Sequence, residues 1–269
     1  MLKDITLGQF FPGNTVVHRL DPRTKLILTL IYITSLFIAN GVLPYVLMFT
    51  VLLTCLSLSR IKPKAVLRGL RPVFIIISIT VILNIFFVRG DTVLFEYRFI
   101  VITREGLLTA VFMAARFMML IVGTFLLTYT TSPISLTDGL ERMLNPLKKI
   151  RLPIHELAMM MSIALRFIPT LIDETDKIMS AQKARGADFE TGGLIKRARA
   201  VVPLIVPLFI SAFRRADELA TAMESRCYHG GEGRTRMKVL KAAARDYLAL
   251  IFGAVVITAV ILLRGIELF

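Results

Sequence analysis

Two arginines stand out because each lies between small residues at the end of a long helical pattern. The triplets are Ala184-Arg185-Gly186 and Ser225-Arg226-Cys227. Small neighbours let another backbone approach closely, and the planar guanidinium fork binds carboxylates or carbonyl oxygens. Each arginine could therefore insert into a groove of another protein, or could merely complete a helix C-terminus, where free carbonyls favour positive charge. The occurrence of two similar triplets favours the docking interpretation.

The segments that carry these triplets share one plan, in which an apolar half with proline precedes an acidic pair, a charged half and the arginine. Apolar residues recur about every 3.6 positions along residues 157–178 and 205–223, which predicts two amphipathic helices. Helices over 155–185 and 194–227 would be roughly 46 Å and 50 Å long at about 1.5 Å per residue. Packed antiparallel or crossed, they would hold the two arginines near opposite ends.

Glycines mark the expected ends of these two helices. Gly186 is placed for a left-handed cap of the first helix, and Gly230-Gly231 is expected to stop the second.

The composition is that of an integral membrane protein. The 269 residues are 55% hydrophobic, with a mean hydropathy of +0.71. The net charge of +14 could suggest nucleic acid, but Lys and Arg cluster beside apolar runs, where the positive-inside rule explains them. No run resembles a cleavable signal peptide. We expect a multi-pass protein of the cell membrane that binds no nucleic acid.

Five apolar runs predict membrane spans, although the first two are shorter than the roughly 20 residues of a perpendicular span, so flanking residues must help them cross or the bilayer must thin. They are Leu26–Ala39, Val42–Leu58, Val73–Val88 opened by Pro72, Gly106–Tyr129 and Tyr247–Leu263. The basic lead-in and the cluster between Arg60 and Arg71 predict a cytoplasmic N-terminus and an external C-terminus. Between the third and fourth runs, partial alternation over Phe95–Thr103 allows a small extended piece, and a shorter helix is expected over Leu136–Lys149.

The predicted fold is an all-α integral membrane protein with about five transmembrane helices and a cytoplasmic module of long amphipathic coupling helices. Its domains would be 1–130, with four spans, 131–245, with the coupling helices, and 246–269, with the last span. Residues 157–172 and 201–213 could instead form a further spanning hairpin. That would export a loop rich in Lys and Arg, so an interfacial position is favoured.

The sequence shows no catalytic or cofactor motif. It contains no Gly-Lys dipeptide, which excludes a P-loop for ATP, and its three histidines, His18, His155 and His229, have no metal-ligand spacing. No nucleophile–base pair is recognisable, so a membrane-embedded enzyme is disfavoured. Arg116 lies inside the fourth span and has two interpretations. It is a polar contact of a self-sufficient channel or secondary carrier, or an arginine satisfied by carbonyls within the bundle.

Several stretches resemble the transmembrane T component of energy-coupling-factor transporters, ABC transporters that import vitamins and transition-metal ions. They are residues 19–26, 164–174 (ALRFIPTLIDE), 181–188 (AQKARGAD) and 225–236 (SRCYHGGEGRTR). The resemblance covers nearly the whole chain, and the two arginine triplets are its most specific element.

The resemblance implies a non-catalytic subunit whose Arg185 and Arg226 insert into two ATP-binding subunits, which hold the ATP and Mg. The same helices would hold a separate membrane protein, the S component, that captures the substrate. One departure is that Cys227 stands where the first triplet has glycine, so the two caps and their docking geometries are expected to differ. Residues 225–236 favour a T component shared by several substrate proteins over a dedicated one, and the substrate stays open.

Overall fold

The computed structural model describes residues 10–88, 92–97, 100–150, 153–187, 189, 193–230, 240 and 242–265. Helices dominate, as predicted, and one small β-hairpin interrupts them. The elements are α1 (Pro22–Ile38), α2 (Val42–Ser59), α3 (Pro63–Phe87), β1 (Val93–Tyr97), β2 (Ile100–Thr103), α4 (Arg104–Thr130), α5 (Pro133–Leu144), a 3-10 helix (Asn145–Ile150), α6 (Ile154–Ala184), α7 (Leu194–Glu224) and α8 (Ala244–Leu263).

The chain divides into two compact units. The bundle unit comprises Gly8–Gly139 and Leu240–Phe269, and the α6–α7 unit comprises Leu140–Val239. The core of the bundle unit lies between α1, α2, α4 and α8, where Leu36, Met48, Met119 and Val260 are buried. Gly123 is required there, because a Cβ atom at this position would lie 2.5 Å from the ring of Tyr32.

Among the described residues, five helices are long and apolar enough to cross a membrane, namely α2, α3, α4, α6 and α8. The number agrees with the prediction, but the set differs, because α6 is included and α1 is not. With 17 residues, α1 is the shortest helix predicted to span. It is roughly 25 Å long at about 1.5 Å per residue, slightly less than a hydrocarbon core of about 30 Å.

Helix α3 begins earlier than the sequence predicts. Pro63 occupies the first turn, where its missing N–H costs nothing, and Pro72 lies inside the helix. The prediction that Pro72 opens this span is therefore wrong. The carbonyl that Pro72 leaves without its helical partner belongs to Arg68, which is exposed.

The connection between α3 and α4 is a two-stranded hairpin. Strands β1 and β2 pair antiparallel, with Tyr97 opposite Ile100 and Val93 opposite Thr103. The extended piece expected within Phe95–Thr103 is thus confirmed. Thr103 also accepts a hydrogen bond from the N–H of Gly106 at 3.2 Å, which caps the start of α4.

A buried lysine joins the beginning of α1 to the end of α4. Lys25 is 6% exposed, and its Nζ donates to the carbonyls of Thr130 at 2.8 Å and His18 at 3.2 Å and to Oγ1 of Thr131 at 3.2 Å. These acceptors include one of the last carbonyls of α4, which has no partner within its own helix. The two helices are therefore antiparallel, with Lys25 at one shared end of the bundle unit.

A buried carboxylate holds α8 at the same end of the bundle unit. Asp246 is 2% exposed, and it accepts hydrogen bonds from the N–H groups of Asp21 at 2.8 Å and Ala243 at 2.7 Å. Asp21 is the N-cap of α1, so the starts of α1 and α8 lie side by side. The start of α1, the end of α4 and the start of α8 therefore meet at one end of the bundle unit.

Candidate partner-docking site

The α6–α7 unit is built around contacts between its two long helices. Near the middle, Glu174 of α6 accepts hydrogen bonds from the Ser211 hydroxyl at 2.6 Å and from the Arg215 guanidinium at 3.1 Å, both on α7. These charge-assisted bonds fix the register of the helices, because a shift of one turn would move both donors out of reach. The acidic residues before each triplet thus include one that joins the helices to each other.

Two further contacts determine the relative direction of these helices. Nε2 of Gln182, near the end of α6, donates to the carbonyl of Pro203, near the start of α7, at 3.5 Å. The Tyr228 hydroxyl, just after α7, donates to Sδ of Met159, in the first turns of α6, at 3.2 Å. The end of α6 thus contacts the first part of α7, and the start of α6 contacts the residues just after α7, so the two helices are antiparallel.

This pairing places the two arginines at opposite ends of the helix pair, as the sequence predicts. Arg226 lies at the level of Met159, whereas Arg185 lies roughly 40 Å further along α6 at about 1.5 Å per residue. All six residues of the two triplets are exposed. The arginines are therefore available at the surface of the α6–α7 unit and do not belong to its interior.

The first triplet ends α6 with a Schellman motif. Gly186 has φ +86°, its N–H donates to the carbonyl of Lys183 at 3.0 Å, and the N–H of Ala187 donates to that of Gln182 at 3.0 Å. The helix itself ends at Ala184, so Arg185 is its C-cap. The left-handed cap predicted at Gly186 is thus present.

The second triplet ends α7 with the same Schellman motif, but with a cysteine in place of the glycine. Cys227 has φ +56°, its N–H donates to the carbonyl of Glu224 at 2.9 Å, and the N–H of Tyr228 donates to that of Met223 at 3.0 Å. The expectation that Cys227 would give a different cap is therefore wrong. The two backbone hydrogen bonds hold a non-glycine residue in a left-handed conformation that costs about 1–2 kcal/mol.

Helix α7 also ends before the glycines that were expected to stop it. Its last residue is Glu224, and Gly230, although left-handed with φ +98°, follows six residues later. The prediction of a stop at Gly230 is wrong, because the Schellman motif at Cys227 already reverses the chain; Gly231 lies outside the described residues.

An open cavity lies beside the second arginine. Its volume is about 430 Å³, and it is lined by Met159, Met223, Arg226, Cys227, Tyr228, His229 and Gly230. Both methionines are soft, unbranched side chains that adapt to irregular surfaces. The tip at Arg226 therefore combines a cation, an apolar wall and a recess.

One side of α7 carries a large apolar surface. Its exposed residues are Val201, Val202, Ile205, Val206, Phe209, Ile210 and Phe213. By contrast, Leu204, Ser211 and Arg215 lie on the side that faces α6. An exposed surface of this kind on a long helix marks contact with lipid or with another apolar protein surface.

Arg116 lies in the bundle unit and has partners within the chain. Its Nη2 donates to the carbonyl of Ala39 at 3.1 Å, and its guanidinium carbon lies 5.7 Å from the ring centroid of Tyr45. Ala39 is the C-cap of α1, so the carbonyl is one of those left free at a helix end. This arrangement supports a structural role in which Arg116 joins α1, α2 and α4.

The histidines do not converge on a site. His18 contacts Thr15 and Phe11, His155 pairs with Glu141 at 3.0 Å, and His229 lines the cavity beside Arg226. In the part of the chain that the structure describes, no three His, Cys, Asp or Glu residues are grouped so as to hold a metal ion.

The fold defines the class as a multi-pass helical membrane protein with two exposed arginine-tipped helix ends. Residues 13–238 match the family model CbiQ, described as a cobalt transport protein. The energy-coupling factor transporter transmembrane protein EcfT of Clostridium kluyveri is 56% identical over 265 residues, which cover 98% of each chain. EcfT of Bacillus subtilis is 48% identical over 246 residues, 91% of this chain and 93% of that one.

The chain therefore belongs to the CbiQ family and is an EcfT-like transmembrane component of energy-coupling factor transporters. The resemblance inferred from the sequence is thus confirmed.

Proposed function

We propose that this chain is the non-catalytic coupling subunit of an ATP-driven micronutrient importer, in which it links two ATPase subunits to a substrate-binding S component. The observation that carries this proposal is the repeated helix end, since Arg185 and Arg226 are both exposed and both precede a left-handed residue in the same Schellman motif. Two similar tips at opposite ends of one antiparallel helix pair suit two similar receptors.

Each tip is suited to a groove with acidic or carbonyl-lined walls. The chain direction reverses immediately after the arginine, so the guanidinium lies at the extreme end of the helix and can enter a groove before the helix body reaches it. Arginine is preferred over lysine in such a position, because its fork binds two oxygens at once. The ATP and Mg would be held by the ATPases, since this sequence has no P-loop of its own.

The proposed orientation has the N-terminus and the α6–α7 unit on the cytoplasmic side. The start of α1, the end of α4 and the start of α8 share one end of the bundle unit, which fits alternating spans. Arg60, Lys62 and Lys64 lie at the α2–α3 connection, and the positive-inside rule places such a cluster in the cytoplasm.

We place α6 and α7 at the membrane interface although α6 is apolar enough to span. Because α6 and α7 are antiparallel, spanning by α6 would carry residues 185–199 across the membrane, including Arg185, Lys196, Arg197 and Arg199. The positive-inside rule opposes that export. The exposed apolar side of α7 would then face lipid or the S component, with the charged halves in water.

Double charge reversal of the tips tests this proposal. In a strain that expresses the whole transporter, R185E/R226E should abolish co-purification of both ATPases while the chain still inserts in the membrane. The matched control is K177E/R214E, which reverses one exposed cation on each helix away from the tips and should retain the ATPases. Retention of both ATPases by R185E/R226E would refute the docking role.

A further inference from the structure

Three cations lie in a row at the start of α3, on one side of the helix. Lys64, Arg68 and Arg71 are all exposed, and they are spaced four and three residues apart, so their side chains lie one above another. The first turn of α3 contains no acidic residue. These cations therefore form a row along the first turns of α3, just before the part of the helix that is predicted to span the membrane.

The same side of α3 continues as an apolar surface. Ile75, at 66% exposed, follows Arg71 at the next helical repeat, and the series goes on through Ile79, Ile82 and Phe86, which are also exposed. At about 100° per residue, these seven side chains fall within an arc of about 80°. We call them the α3 stripe, which is basic over its first two turns and apolar over the rest of its length.

The α3 stripe points away from the bundle unit. The opposite side of α3 packs on α4, where the carbonyl of Ala65 accepts a hydrogen bond from Tyr129 at 3.3 Å and a Cβ on Gly69 would lie 2.5 Å from the ring of Phe125. Ile77, which is 8% exposed, lies on this inner side. Within the bundle unit, the stripe is therefore the outer surface of α3.

No neighbouring acid in the sequence neutralises these cations. Residues 22–90 contain no Asp or Glu, so α1, α2 and α3 supply no carboxylate. Two buried acids at this end of the bundle unit, Asp21 and Asp246, accept hydrogen bonds from backbone N–H groups. Among the described residues, none of the ion pairs includes Lys64, Arg68 or Arg71.

We propose that the α3 stripe is a binding site for an anionic phospholipid. The phosphate of the headgroup contacts Lys64, Arg68 and Arg71, and the acyl chains lie along Ile75, Ile79 and the residues beyond. The observations that select a lipid over a soluble anion are the continuity of cations with an outward apolar surface and the match of both parts to one amphipathic molecule. Three cations near a headgroup strengthen binding roughly a hundredfold over a neutral lipid. The proposal does not depend on the coupling role of the α6–α7 unit.

Because the sequence contains no tryptophan, a single introduced tryptophan reports the quenching at its own position without background fluorescence from other tryptophans. The variant I75W places a single tryptophan in the stripe, and I251W places one on an exposed site of α8 as a matched control. The full chain is reconstituted in phosphatidylcholine vesicles that contain a low, equal fraction of either brominated phosphatidylglycerol or brominated phosphatidylcholine. Bromine quenches tryptophan fluorescence only at short range.

Several-fold stronger quenching of I75W by the brominated phosphatidylglycerol is expected, with equal quenching of I251W by the two lipids. Adding K64Q/R68Q/R71Q should remove the preference of I75W, whereas K64R/R68K/R71K should keep it. If the triple Gln variant does not give a monodisperse protein, R68Q alone should reduce the preference. Equal quenching of I75W by both lipids, or a preference that survives loss of the charges, would overturn the proposal.

Two further arms separate the lipid from other occupants. Inorganic phosphate added at constant ionic strength should leave the preference of I75W for phosphatidylglycerol unchanged. If phosphate abolishes this preference, the cations bind free anions instead. In the assembled transporter, I75W should remain quenched by brominated lipid. Loss of quenching by both lipids there would show that a protein subunit covers the stripe, and would also overturn the proposal.

Discussion

Lys25 is the residue whose removal should most weaken the bundle unit. Replacement by methionine keeps much of the side-chain volume but removes every donor to Thr130, Thr131 and His18. It also removes the positive charge that interacts with buried Asp246. Because Lys25 is 6% exposed, water cannot readily replace the lost hydrogen bonds.

The expected loss follows from the number of groups left without partners. A buried polar group without a hydrogen bond costs about 1–3 kcal/mol, and breaking a buried charge cluster from one side costs about 3–5 kcal/mol. We therefore expect K25M to destabilise the protein by about 4 kcal/mol. At roughly 2–4 °C per kcal/mol for a chain of this size, the thermal midpoint should fall by about 10 °C.

The assay is thermal unfolding of the detergent-solubilised full chain, followed by the fraction that remains monodisperse after heating. K64M serves as the control, since it removes an exposed lysine and should shift the midpoint by no more than about 2 °C. The double variant K25M/D246N should lose less stability than the sum of the two single variants. Each single change leaves a buried charge without its partner, whereas the double change removes both charges. A midpoint for K25M within about 2 °C of the parent would refute the reasoning.

Three other predictions follow from local geometry. C227G should stabilise the end of α7 by about 1 kcal/mol by relieving the left-handed cysteine, seen as slower amide exchange at Tyr228, and faster exchange would contradict it. R116M should cost about 2 kcal/mol through loss of its bond to Ala39, yet the assembled transporter should retain uptake; abolished uptake at normal stability would restore a transport role. Burial lowers the pKa of His18, so the folded protein favours the neutral imidazole. The stability that His18 contributes is therefore fully present above about pH 6.5, the pKa of an unperturbed histidine, and it is lost as the pH falls through the lower pKa of the folded state. H18Q should therefore flatten the acid side of a plot of thermal midpoint against pH between 7.5 and 5, and an unchanged slope would count against this.

The family, the helical class and the two arginine tips could all be predicted from the sequence. Apolar periodicity reports which residues avoid water, and the spacing of residues 157–178 and 205–223 is a property of the chain itself. The opposite placement of Arg185 and Arg226 followed from helix length, and the contacts of Gln182 with Pro203 and of Tyr228 with Met159 bear it out.

Helix ends were harder to predict, because they depend on backbone hydrogen bonds that residue type only biases. Pro72 was expected to open α3 and Gly230 to stop α7, yet Pro63 already provides the start and the bonds around Cys227 already provide the stop. A cysteine in a left-handed conformation contradicts local preference. The two Schellman hydrogen bonds satisfy carbonyls that the helix end would otherwise leave free, and this offsets the strain.

The sequence by itself determined a membrane protein with two long amphipathic helices that each end on an arginine, because composition and periodicity are encoded in consecutive residues. Only the tertiary structure brought Lys25 to Thr130 and Asp21 to Asp246, contacts that join residues more than a hundred positions apart. It likewise decided that Arg116 binds the end of α1 and that the α3 stripe faces outward. Such outcomes depend on which helix faces meet, and that choice is made by packing over the whole unit and not by any local pattern.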